Sequence, residues 1–102
     1  MAIKHASAKS KGARLEKLVA EDLKAIGIEA KRQPGSGVYR DYPSDVTAQI
    51  QGKDYLFECK ARREGPRVLD RWLGENDFLV VRVDRGTPRV YMTWAMFKEL
   101  VK

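Results

Sequence analysis

The chain has 102 residues, of which 43% are hydrophobic and 33% charged, and a net charge of +6. That is the make-up of one soluble globular domain with a modest core, and it excludes a disordered chain. A single cysteine and a single histidine leave no internal disulfide and no zinc cluster, and no apolar run approaches the roughly 20 residues of a membrane span.

In chain order, "MAIKHASAKSKGAR" carries Lys4, Lys9, Lys11 and Arg14 with no acid, and no signal-peptide apolar stretch. Residues 1–9 read as a basic arm ahead of one domain spanning 10–102, in a reducing, cytoplasmic setting (the host cytoplasm for a viral chain). From Lys11 to Ile26, Leu15, Leu18, Val19, Leu23 and Ile26 recur at helical spacing, with Glu16 beside that face and Gly27 as the stop. A short strand is expected over 28–33, then a Gly/Pro-punctuated loop over 34–43. "DVTAQI" and "DYLFECK" alternate with period two, placing Val46, Ala48 and Ile50 on one face and Tyr55, Phe57 and Cys59 on another. Val68, Leu69, Trp72 and Leu73 predict a short helix ending at Gly74. "DFLVVRV" (77–83) has the near-continuous apolar content of a strand buried on both faces. A strand over 89–93 and a last helix capped by Thr93 complete an α/β sandwich around a mixed five-stranded sheet with flanking helices.

The chemistry concentrates in the two alternating strands. If Ala48 faces Tyr55 and Val46 faces Phe57, the turn reduces to Gln51 and Gly52, and a glycine suits the positive φ such turns demand. The same register sets Asp45 across from Glu58, with Lys60 projecting from the same face as Glu58. Carboxylates so paired stand about 4.5–5.5 Å apart at Cβ and repel, a conflict that a cation removes. Oxygen-only ligands (Asp45, Glu58 and the Cys59 carbonyl) favour a hard ion such as Mg²⁺, with Mn²⁺ as a substitute. Lys60 would orient or deprotonate an attacking water. Solvated strand charges explain an acid–x–lysine triplet taken alone.

Asp45 followed by Glu58-Cys59-Lys60 resembles the D…(D/E)-x-K signature of the PD-(D/E)XK nuclease superfamily. The wider pattern of residues 10–63 resembles the archaeal and phage-type Holliday junction resolvases: the basic "SKGARLEKLVAEDL" with a glutamate on the first helix, then "KRQPGSG", then the D…E-x-K strands. The resemblance implies a restriction-endonuclease-like fold and a catalytic set of Glu16, Asp45, Glu58 and Lys60, with Ser36 near the scissile phosphate. Glu16 becomes a further candidate metal ligand, and a homodimer is implied because a four-way junction takes two symmetric cuts. For Glu16 the plainer reading is a helix-face acid paired with Lys17 or Lys24. For Ser36, between Gly35 and Gly37, it is a merely flexible loop.

Charge extends the picture. Lys and Arg number 20 against 14 acids, an excess that suits a polyanion, most commonly nucleic acid. Arg62 and Arg63 continue past Lys60 and are the best phosphate contacts, with Lys9, Lys11, Arg14, Arg32, Arg40, Arg67 and Arg71 behind them. Cys59 is expected in the core, as are Trp72 and Trp94 unless they pack at a dimer interface. Three functions stay open: a Mg²⁺-dependent junction resolvase, a restriction- or repair-type nuclease on duplex or flap DNA, and a non-catalytic basic nucleic-acid-binding module.

Overall fold

The structure is a computed structural model that describes residues 8–33 and 45–102. Most of the expected basic arm and the loop carrying Ser36 and Arg40 lie outside the described residues. Two compact units divide the chain, Met1–Arg62 and Arg63–Lys102.

The first unit opens with helix α1 (Ala8–Ala25). Its buried side chains are Glu16, Val19, Ala20 and Leu23, the i, i+3, i+4, i+7 positions of one face. This stripe is rotated from the expected one: Leu18 is 47% exposed, while Ala20 is 3% exposed. Alanine adds little to a hydrophobic pattern, but its small side chain lets a helix sit close to a sheet. The surface it meets is also small, with Ala30 and Ala48 buried on strands β1 (Glu29–Arg32) and β2 (Val46–Ile50), against which α1 packs. The rotation carries Glu16 into the buried face. Gly27 closes the helix at φ +87°, where its N–H donates to Lys24 and the Ile28 N–H to Leu23, satisfying two terminal carbonyls.

Strand β3 (Lys53–Phe57) completes an antiparallel sheet in the order β1-β2-β3. Its register is the expected one, with Ala48 opposite Tyr55 and Val46 opposite Phe57. Gln51 and Gly52 form the turn with φ of 53° and 79°, the left-handed pair that matches the right-handed twist of the flanking strands. Leu23 and Val46 are fully buried at the centre of this unit.

The second unit holds α2 (Arg67–Leu73), β4 (Leu79–Val81), β5 (Arg89–Tyr91) and α3 (Trp94–Val101), with β4 and β5 antiparallel and α2 against β4. Tyr91 donates from its hydroxyl to the Asp70 carboxylate, tying β5 to α2. Thr93 caps α3 as expected, its hydroxyl accepting from the Met96 N–H at 3.1 Å.

Three expectations are corrected. The five strands among the described residues form a three-stranded and a two-stranded sheet, not one five-stranded sheet. All the pairings formed among the described residues are antiparallel, and each lies within one unit. The run 77–83 is not a doubly buried strand: three residues are extended, and Phe78, Val80 and Val83 are 43%, 68% and 79% exposed. A two-stranded ribbon with one short helix against it has no second layer to cover both faces. Trp72 likewise lies outside any core at 55% exposure, whereas Trp94 is half-buried and stacks on Phe97 with centroids 5.3 Å apart. No helix among the described residues is long and apolar enough to cross a membrane.

Candidate active site

The site is built where the β2–β3 hairpin opens. The regular ladder stops at Val46 and Phe57. Asp45 is then held on both sides by its backbone, its N–H donating to Phe57 at 3.1 Å and its carbonyl accepting from Gln33 at 2.9 Å. Past Phe57 the chain leaves the ladder, and the Cys59 N–H is turned inward without a strand partner. The Asp45 carboxylate takes it, Oδ2 accepting at 2.7 Å in a buried, charge-assisted hydrogen bond. The rung expected between Asp45 and Glu58 is therefore replaced by this bond. Asp45 is 8% exposed, while the Glu58 side chain reaches solvent.

Glu58 and Lys60 share a side, as the period-two reading requires, and pair at 3.2 Å with side chains 53% and 63% exposed. A pair so exposed is worth only about 0–1 kcal/mol, so either partner is free to exchange the other for a stronger charge. Between them Cys59 points inward, 8% exposed. Its thiol is pushed up to about 11, first by burial and then by the negative charges of Asp45, Glu16 and Glu58. One buried thiol thus senses all three candidate carboxylates, which come from a helix, a strand end and the segment after the hairpin. A thiol held protonated is a poor nucleophile, so Cys59 is a packing residue here.

Glu16 does not pair with Lys17 or Lys24. It accepts from Arg32, whose Nε and Nη2 converge on Oε2 at 3.3 and 3.1 Å. This partnership was missed in the sequence, although its signal is present there. Ala30 faces the helix, so Arg32, two residues on, faces it too. Gln33 adds a second tie, its side-chain amide donating to the Thr47 hydroxyl at 3.1 Å.

Of the remaining expected residues, Arg14, Arg62, Arg63 and Arg67 are exposed and Lys11 is half-buried. Arg62 donates to the Ala61 carbonyl at 3.0 Å. The Lys9 side chain, Ser36 and Arg40 lie outside the described residues.

The donor set is all oxygen, as a hard cation requires. Among the described residues no three His, Cys, Asp or Glu side chains are gathered into a cage ready to hold a metal ion. Mg²⁺ does not need one, because it keeps several waters and takes one or two carboxylates. Asp45, Glu58 and the Cys59 carbonyl are the oxygen atoms that could serve it here.

No curated protein and no solved structure matches the chain. The family model described as archaeal Holliday junction resolvase matches residues 7–71, well over half of the sequence, and spans α1, the three-stranded sheet, the carboxylates around Cys59 and most of α2. With Asp45 and Glu58-Cys59-Lys60 at the open end of the hairpin and the glutamate of the first helix buried, the chain belongs to the archaeal Holliday junction resolvase family.

Proposed function

We propose that the chain is a Mg²⁺-dependent, structure-specific DNA endonuclease that resolves four-way junctions by paired symmetric phosphodiester hydrolysis, working as a cytoplasmic homodimer. The observation that carries this reading is the buried bond from the Cys59 N–H to Asp45 Oδ2 at 2.7 Å, which ties Asp45 to the segment carrying the Glu58–Lys60 pair. The finer fold that goes with it is restriction-endonuclease-like, with α1 and β1–β3 as its catalytic half.

In this reading Asp45 and Glu58, with the Cys59 carbonyl, hold the ion. Asp45 is suited to the task because its backbone is fixed on two sides and one carboxylate oxygen already has a defined direction. Mg²⁺ bound there supplies polarisation of the phosphate and charge to offset the leaving oxygen. With Glu58 as a ligand, Lys60 would be released from their present pairing and could orient or deprotonate the attacking water. Arg62, Arg63 and the basic residues of α1 track the DNA backbone. The homodimer draws support from the exposed apolar side chains of residues 63–102, since apolar surface of this kind marks interaction sites.

The test is cleavage of an end-labelled four-way junction beside a linear duplex of one arm's sequence, each with Mg²⁺ and with EDTA. Paired nicks in the junction alone, dependent on Mg²⁺, are expected. Equal cutting of both substrates replaces junction resolution by a restriction- or repair-type activity on the same fold. Bound but intact DNA in every lane leaves a non-catalytic binding module.

A further inference from the structure

The Glu16–Arg32 pair has an unequal geometry. The acid is sheltered, with a side chain 11% exposed, while the arginine side chain that holds it is 43% exposed. Arg32 spends only one side on Glu16, through Nε and Nη2 on a single oxygen. Guanidinium carries five N–H donors in a rigid planar fork, so the rest of that fork stays available for a second anion. Its position is close to the chemistry. Arg32 stands opposite Val46, and the next rung joins Gln33 to Asp45.

We propose that Glu16 is a positioning residue that acts through Arg32 and not a metal ligand: it clamps the guanidinium of Arg32, whose strand neighbour Gln33 pairs with Asp45, so that its outward edge receives a DNA phosphate. This rests on the nuclease reading above and sharpens it by removing Glu16 from the candidate ligands. A dication on the same oxygen would sit against a guanidinium already 3.1 Å away, and like charges so close repel. An arginine free in solution loses several rotors on gripping a phosphate. Here the buried carboxylate has already ordered it. Burial of Glu16 in turn requires the partner, because an unpaired buried carboxylate is strongly disfavoured.

The test uses the full chain with Glu16→Met, which fills the buried volume without charge or acceptor, and Arg32→Gln, alone and together. Junction binding is followed by fluorescence anisotropy in EDTA across a salt series, and Mn²⁺ binding to the free protein by spin-resonance titration, with Asp45→Asn as control. Arg32→Gln is expected to lower the salt slope by about one phosphate contact. Glu16→Met is expected to weaken junction binding although it removes a negative charge, and the double variant is expected to be no weaker than Arg32→Gln. Mn²⁺ binding is expected to survive Glu16→Met and to be lost with Asp45→Asn. Tighter junction binding in Glu16→Met, additive losses, or loss of Mn²⁺ with Glu16→Met overturns the proposal while leaving the nuclease reading in place. An unaltered chain that neither binds nor cuts junctions overturns the nuclease reading, and this proposal with it. Where the Met or Gln variants do not melt cooperatively, Arg32→Lys decides: it keeps the ion pair without the fork. Weaker junction binding then supports the clamp, and unchanged binding reduces the pair to a helix–sheet tie.

Discussion

The two units differ in what they do with apolar side chains. Among the described residues, nine of the ten buried hydrophobic side chains belong to Met1–Arg62, and Leu73 alone belongs to Arg63–Lys102. Exposure runs the other way. Of the large hydrophobic residues left at the surface, Leu18, Tyr55 and Leu56 are in the first unit, against Val68, Trp72, Phe78, Val80, Val83, Val90 and Leu100 in the second. The first unit covers its core with a helix laid close on alanines, and Glu16 is buried on that helix face against Arg32. The second unit has short strands, one buried side chain and a wide apolar surface. Chemistry and apolar surface are therefore segregated along the chain, with the carboxylates on the packed half.

If that division is right, substitutions should separate by unit. The largest effect is expected on cleavage. Asp45→Asn and Glu58→Gln should each slow single-turnover cutting of a four-way junction by about a hundredfold or more, the scale on which a site built to hold and orient charge fails. Asp84→Asn, an acid in the turn between β4 and β5, should leave the rate unchanged. Comparable losses from all three would dissolve the contrast.

Stability gives the next largest separation. Leu23 is fully buried, so Leu23→Ala should cost about 2–5 kcal/mol in a urea melt. Val80→Thr, at a residue 68% exposed, should fall within about 0.5 kcal/mol of the unaltered chain at low concentration. A large cost for Val80→Thr that grows with protein concentration would mean that the second unit's apolar surface is covered in solution by another copy.

The way the sequence was legible follows the same division. In the hairpin, strict alternation and a two-residue turn determined the register and placed Glu58 and Lys60 on one side, because a period of two admits no partial error. The helix stripe was harder to read. Ala20 is nearly silent in a hydrophobic pattern, so the buried face was drawn one position away and Glu16 appeared to be a neighbour of the core. Asp45 was found, but its bond to the Cys59 N–H was not, because it depends on where β3 leaves the ladder, which alternation does not encode. In the second unit the apolar run 77–83 matched a buried strand by composition alone. Nothing in a run of Leu and Val states whether another layer exists to cover it.

A smaller effect tests the buried end of the site. The Cys59 thiol stands near 9.0 when unfolded and is pushed up to about 11 in the folded chain, chiefly by burial. The unfolded chain therefore sheds its proton first. The contribution of Cys59 to stability is fully present below pH 9 and is lost as pH rises toward 11. In paired urea melts the gap between the unaltered chain and Cys59→Ala should narrow across that window. A constant gap would place the thiol in water, away from the three carboxylates.

The most direct test of the account is the Lys60→Ala protein on an end-labelled four-way junction, with binding and Mg²⁺-driven cleavage measured on the same sample. Cleavage is expected to fall by about 10²–10⁴, the range for losing a positioned proton-transfer group, while binding in EDTA is largely kept. Cutting preserved in Lys60→Ala would contradict the site, and return Glu58 and Lys60 to an exposed ion pair on the surface of a small sheet.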